Sequence, residues 1–386
     1  MTYKVKTSEL KRALGLASKC LDKQSGLPVL SLFRFDFSDG LKVTASNLDQ
    51  TVDVQIAAEG SCPITDVLID GRKIAGIINL LADEHLEIEI IEGKMKVKRS
   101  AGTITLATTP TENFPETPDT SDVENWTMFS ASTLYKTFRT CMIGTVDGLA
   151  VLQGGGNQIV EIRVDSSAFR CFATDGHRLS IIEGKCETEQ AEPYKIVLPV
   201  YAIRTLLPTL DADATVFIGE DKNHIFVKLS GTLIYSFRKV CASFPNVDAV
   251  LNHLAYERFI TVDSQATAQA LQLVGQLASD RFRRVNWQFT DTGITFTAVG
   301  EGGNAEEAMP AKIEFEPDLT AFDYTYILPV LKQMDGEVEL AFSKEHIIQR
   351  DRNDETIILS EYDSWSVRIS SENGVKSSVI VQALKV

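Results

Sequence analysis

Asp175 and His177 stand two positions apart, and a carboxylate at this spacing can orient an imidazole as a general base. No candidate nucleophile is tied to the pair by spacing, so this catalytic reading has no reaction attached to it. The other histidines, His85, His224, His253 and His346, show no metal-ligand spacing with one another or with the cysteines. Cys20, Cys62, Cys141, Cys171, Cys186 and Cys241 are scattered and include no C-x-x-C pair, which reads as reduced core thiols in a cytoplasm. There is no G-x-x-x-x-G-K-[ST] phosphate loop and no G-x-S-x-G elbow. Gly154-Gly155-Gly156 and the Gly300, Gly302, Gly303 cluster read as loops. The expectation is no catalytic site, no metal and no cofactor.

The elements around these residues repeat. A helix predicted over Thr7–Asp22 leads to a strand over Phe33–Phe37, a turn at Ser38-Asp39-Gly40, and a return strand with Leu41, Val43 and Ala45 in alternation. The same plan recurs with a helix over Ala131–Met142, alternating Val160, Ile162 and Val164, a turn at Asp165-Ser166-Ser167, then Phe169, Cys171 and Ala173. It recurs again with a helix over Ser264–Ala278, then Val285, Trp287 and Phe289, a turn at Asp291-Thr292-Gly293, and Ile294, Phe296 and Ala298. Each unit adds a second helix, over Arg72–Leu81, Val200–Leu207 and Tyr326–Met334. Lys73, Tyr201 and Pro329 align in these, each 128 residues from the next. A further hairpin, such as Leu86, Ile88 and Ile90 around Glu92-Gly93 to Met95 and Val97, closes the unit. Thr109–Asn125, with Pro110, Pro115 and Pro118, reads as a linker, and a weaker break lies near Asn252-His253. The fold class is therefore α+β, in three repeated domains of antiparallel strands with two helices each, at 1-125, 126-253 and 254-386.

The 386 residues carry a formal net charge of −15, which by itself opposes contact with nucleic acid. The positive residues are not spread evenly. At about 100° per residue, Leu10, Leu14, Ala17 and Leu21 share one face of the first helix, while Arg12, Lys19 and Lys23 gather opposite. In the second unit Leu134, Phe138 and Cys141 oppose Lys136 and Arg139, with no acid from Ala131 to Thr145. The third unit's helix presents Gln265, Gln269, Gln272 and Gln276, followed by Arg281, Arg283 and Arg284. The second helices add Arg72, Lys73, Arg204 and Lys332. Helices lining a hole would offer such faces to a phosphate backbone without reading bases, and an acidic exterior would repel it elsewhere. No apolar run is long enough to span a membrane, and MTYKVKTSEL lacks the apolar core of a signal peptide.

Ala173-Thr174-Asp175-Gly176-His177-Arg178-Leu179, where the middle hairpin returns, resembles the signature of the bacterial DNA polymerase III beta sliding clamp family. Gly26-Leu27-Pro28-Val29-Leu30 is similar to that family's leucine-proline segment. Leu41-Lys42-Val43-Thr44-Ala45-Ser46-Asn47-Leu48 is similar to its L-x-(L/V)-T-A-(S/T)-(D/N)-L strand. Asn113-Phe114-Pro115 and Ser243-Phe244-Pro245 match its domain-ending F-P motifs. The resemblance spans the chain. It implies a ring-shaped homodimer around duplex DNA, without sequence preference, opened by an ATP-driven clamp loader and tethering polymerases through a short peptide motif.

The resemblance also implies site residues. A partner-peptide pocket falls on Leu152, Thr174, Gly176, His177, Arg178, Leu179, Pro245 and Val250, continued by Ile380, Val381, Gln382, Ala383 and Leu384. A dimer interface falls on Ile104 and Leu106 of one copy facing Leu277 of the next. This chain departs from the family pattern at Gln382-Ala383-Leu384-Lys385-Val386, where larger apolar and proline residues are usual, which implies a shifted peptide preference. It departs again at Pro199-Val200-Tyr201, where Pro-Arg-Lys is usual, and at Gln24, Ala150 and Val151, which replace basic or aromatic positions of DNA-contacting loops. Two other readings remain at this point: a clamp-like interaction scaffold with reduced DNA binding, and an enzyme using Asp175 and His177.

Overall fold

The computed structural model describes residues 2–22, 26–61, 65–145, 158–211, 213–229, 231–350, 358–372 and 375–382, with backbone alone at 346–350 and 358–364. Lys23, Gln24, Cys62, Ala150, Val151, Leu152, Gly154–Gly156, Ala383, Leu384, Lys385 and Val386, named above, lie outside the described residues. These residues form an α+β fold in which antiparallel sheets are backed by short helices.

Each repeat runs strand, helix, hairpin, further strands, second helix, hairpin. The first helices are Thr7–Ala17, Ala131–Cys141 and Ser264–Gly275. The second are Gly71–Asn79, Val200–Leu206 and Tyr324–Gln333. Apolar spacing locates all six. A short strand runs directly into each helix, and in three of them an aspartate at the junction accepts the orphan N–H groups of the first turn. Asp70 takes Lys73 N at 2.9 Å, Asp263 takes Ala266 N at 2.7 Å, and Asp323 takes Thr325 N at 2.9 Å. The third of these second helices begins at Tyr324, so Pro329 is its sixth residue while Lys73 is the third of its own. Equal spacing fails there because the loops of the third repeat differ in length.

The described residues divide into two compact units. The first unit is built from Met1–Ser132, Cys186–Thr188 and Tyr201–Val240; the second from Thr133–Lys185, Glu189–Val200 and Cys241–Val386. Each holds an eight-stranded sheet that joins strands from successive repeats. In the first unit the join is Leu233–Arg238 against Gln50–Ile56, with Tyr235 opposite Val52. In the second it is Arg178–Lys185 against Lys376–Gln382, with Leu179 opposite Ile380. The middle repeat is thus shared between the units. The first unit also carries a five-stranded sheet ending in the edge strand Gly102–Ala107. The second carries a four-stranded sheet ending in Gly303–Pro310.

The C-terminal core is aromatic. Trp287 is fully buried and meets Phe296 and Phe322 edge-on at 4.9 and 5.3 Å between ring centroids. Cys20, Cys141, Cys171 and Cys186 are buried free thiols and Cys241 is an exposed one. Among the described residues no group of three His, Cys, Asp or Glu side chains is placed to hold a metal, and no helix is long and apolar enough to cross a membrane.

Candidate functional site: an apolar cleft beside a buried turn

In the second unit the strands Ala168–Thr174 and Arg178–Lys185 pair in register and are joined by Asp175-Gly176-His177. Gly176 sits at φ +89°, a left-handed conformation that glycine adopts without a Cβ penalty. The side chain of Asp175 is the turn's acceptor. Its Oδ1 takes the backbone N–H of His177 at 2.9 Å and of Arg178 at 2.7 Å. Its Oδ2 takes Arg178 Nε at 3.0 Å and faces Arg178 Nη2 at 3.0 Å. Thr174 Oγ1 donates to Arg178 O at 2.6 Å and accepts from Gly176 N at 3.1 Å. Both carboxylate oxygens are therefore engaged by the turn and the guanidinium. Asp175 meets His177 through its backbone, not its ring. The D-x-H step holds a shape, and the proton-relay reading of it loses its geometric basis.

The His177 ring lies flat against Tyr326, 4.9 Å between centroids and 16° between planes. Arg178 reaches the same residue, donating from Nη1 to Tyr326 O at 3.3 Å with its guanidinium 5.2 Å from the ring centroid. Burial, with the carboxylates of Asp323 and Asp175, pushes the Tyr326 phenol above its ordinary value, so the ring remains a neutral platform.

A second wall comes from the helix Val247–His253, which carries Val250. Asn246 caps it by accepting Ala249 N at 3.1 Å. Arg163 bridges it to the sheet, donating from Nη1 to Asp248 at 2.9 Å and from Nε to Glu161 at 2.7 Å. Desolvation works against the Arg163 charge, but its bonds to Glu161 and Asp248 outweigh it and hold the guanidinium above its ordinary value. Phe172, Leu179, Ile181, Val247 and Ile380 form one buried apolar cluster, with Phe244, Leu251 and Leu254 packed against it.

Above this cluster opens a cleft of about 400 Å³. Thr174, Gly176, His177, Arg178, Leu179, Pro245, Val250, Ile380 and Gln382, all named from the sequence, line it together. Phe244, Val247, His253, Leu254, Glu345 and Ser366 also line it and were not anticipated. Val381 is elsewhere: it is fully buried in the C-terminal core, because adjacent strand residues face opposite sides of a sheet and Ile380 takes the cleft side. Val250 is 45% exposed, an apolar side chain held at the lip of an apolar cleft. That composition, largely apolar with a few convergent polar groups, suits a short peptide or small ligand.

The basic residues occupy exposed helix faces. In the first unit Arg12, Lys19, Arg72, Lys73 and Arg204 are exposed. Arg12 lies 3.3 Å from Glu9 and Lys73 3.6 Å from Asp70, so both charges are partly offset. Tyr201, at the departure from the family's basic pattern, is a structural tie. Its hydroxyl lies 3.3 Å from Asp49 O and 3.4 Å from Arg238 O, and burial pushes its pKa up to about 12. In the second unit Lys136 and Arg139 line a cavity of about 450 Å³ beside Gln333, and Lys332 is exposed nearby in sequence. The residues expected at a dimer interface lie on an edge strand and just beyond a helix. Ile104 and Leu106 are half-buried on the edge strand Gly102–Ala107. Leu277 is half-buried just beyond the helix Ser264–Gly275, near exposed apolar Leu273.

The chain matches three family models in order: the DNA polymerase III beta subunit N-terminal domain over residues 1–118, its central domain over 142–246 and its C-terminal domain over 255–360. It is 24% identical to the beta sliding clamp of Vibrio cholerae over 86% of this chain and 90% of that one, and 24% identical to that of Haemophilus influenzae over the same shares. Its fold is similar to a crystal structure of the DNA polymerase III beta subunit of Pseudomonas aeruginosa, with a TM-score of 0.85 at 20% identity and full coverage of both chains. A clamp from the same organism bound to griselimycin gives a TM-score of 0.84 at 21% identity, again over both chains in full.

Proposed function

This chain belongs to the DNA polymerase III beta subunit family and is a sliding clamp of that family, and from that premise we propose that two copies close head to tail around duplex DNA and hold polymerases to it. We read the chain as three consecutive clamp domains, 1-125, 126-253 and 254-386. The observation that carries the proposal is the cleft at Thr174, Gly176–Leu179, Pro245, Val250 and Ile380, which gathers residues distant in sequence into one apolar site. A partner's peptide motif would seat its apolar side chains there, with His177 and Arg178 held as hydrogen-bonding rim by Tyr326 and Asp175. Polymerases and an ATP-driven clamp loader would share this site. The clamp acts as a processivity factor and needs no chemistry of its own. The engagement of Asp175 in the turn supports that reading.

The edges support head-to-tail closure. An unpaired edge strand invites a partner. Gly102–Ala107 lies beside a strand bearing Lys94, Lys96 and Lys98, whereas Gly303–Pro310 carries Glu306 and Glu307. Lys98 is offset by Glu89 at 3.0 Å, but Lys94 and Lys96 beside one edge and the glutamates on the other favour pairing of unlike ends, and closure of two such contacts makes a ring. Ile104 and Leu106 would meet Leu277 of the next copy. Contact with DNA would run through backbone phosphates from Arg12, Lys19, Lys23, Arg72, Lys73, Lys136, Arg139, Arg204 and Lys332, and would be weak. Such a clamp works in the bacterial cytoplasm, at the nucleoid.

The decisive experiment loads the chain onto nicked circular DNA and isolates the complex at moderate salt. Retention on the circle and loss after linearisation is the expected result. Equal retention on linear and circular DNA would overturn encirclement. Partner binding without DNA retention would instead select the scaffold reading.

A further inference from the structure

We infer that Glu345 makes the cleft selective for partner peptides carrying a basic residue beside their apolar anchors; this rests on the peptide-pocket reading of the same cleft. The cleft's charged groups decide the point. Arg178 is matched: Asp175 takes its Nε and Nη2 at 3.0 Å, and both side chains are largely buried. Asp248, on the wall helix, is matched by Arg163 at 2.9 Å. His177 is stacked on Tyr326, and His253 ends the wall helix on its exposed side. Glu345 is half-buried in the lining, and among the described residues no cation pairs with it.

The strand explains why. Lys344 is the adjacent residue, and adjacent residues of a strand face opposite sides of the sheet. Lys344 accordingly turns to Asp318, 3.1 Å away, and to the Trp365 ring, 5.2 Å from its centroid. Its charge is used on the far face, and Glu345 is left toward the cleft. A carboxylate beside an apolar floor, partly withdrawn from water and without a counter-charge, attracts a cation and repels an anion more strongly than an exposed one. The partner is therefore a peptide with apolar anchors and a Lys or Arg flanking them, and acidic flanks are disfavoured.

The test uses the full chain and two synthetic peptides sharing Leu and Phe anchors, one flanked by Lys and the other by Glu. Their dissociation constants are measured by calorimetry at low and at physiological salt. Wild type should bind the Lys peptide on the order of tenfold more tightly, the gap narrowing with salt. Glu345→Gln should bring the two within about twofold, and Glu345→Lys should reverse the order. Val250→Asp should weaken both, and the Glu peptide more, because it adds a second negative charge to the same lining. If the wild type binds both equally and Val250→Asp still weakens both, the pocket stands and the role of Glu345 is overturned. If neither peptide binds, or Val250→Asp changes nothing, the pocket reading and this inference fall together.

Discussion

Replacing Asp175 with Asn removes the charge from the turn while keeping its size. The retained amide oxygen can still accept the N–H groups of His177 and Arg178, at 2.9 and 2.7 Å in the native chain. What is lost is the paired contact of Oδ2 with Arg178 Nε and Nη2, because the amide NH₂ would now face donors. The side chains of Arg178 and Asp175 are only 12% and 4% exposed, so water screens the pair little and cannot fully replace it. Hydrogen bonds to charged groups contribute about 1.5–3 kcal/mol each, and breaking one side of a buried pair costs about 3–5 kcal/mol. With the backbone bonds retained and Arg178 Nη1 still on Tyr326 O, about 3 kcal/mol is expected for the local structure. At roughly 1.4 kcal/mol per factor of ten, that is on the order of a hundredfold in the opening of the turn. Hydrogen–deuterium exchange across residues 172–180 reads it directly, since a local loss need not move a global unfolding curve in a chain of several domains. Exchange within about threefold of wild type would refute the reasoning and leave Thr174 as the turn's main support.

Leu277→Asp places a charge among the half-buried apolar residues just beyond the helix Ser264–Gly275 and should convert dimers to monomers in sedimentation at micromolar concentration; a wild type already monomeric there would remove the ring. Asn246→Ala deletes the cap of Val247–His253 and should cost about 1 kcal/mol, seen as a severalfold weaker peptide affinity with no change in dimerisation. Lys136→Ala with Arg139→Ala should weaken binding to short linear duplex equally for all sequences and lower the salt slope by about 2, as expected for two phosphate contacts. A selective loss for one DNA sequence would show that these residues read bases.

Much of the chain is legible from local pattern. The six repeat helices follow from apolar residues at helical spacing, and three open on aspartates that their first turns need. The hairpins follow from strict alternation around turns such as Glu92-Gly93, both at positive φ. The run from Ala173 to Leu179 was enough to point to a family, and with it to most of the cleft lining. These are short-range regularities, where backbone conformation and side-chain direction depend on neighbours in sequence.

What the tertiary structure decided depends on long-range pairing. Leu179 meets Ile380 only because a strand of the middle repeat joins the last strand of the chain, and that register sends Ile380 into the cleft and Val381 into the core. The helix Val247–His253 is short, with Asp248 and Asn252 within it, and is held by Asn246 and by Arg163, 85 residues before Asp248. No local periodicity announces it. Asp175 beside His177 reads equally well as a proton relay or as a turn. The fold chose the turn, because the Asp175 oxygens point at two backbone N–H groups and a buried guanidinium while the imidazole lies on Tyr326. Glu345 became a cleft residue for the same kind of reason: strand alternation committed its neighbour Lys344 to Asp318, which sequence order alone cannot reveal.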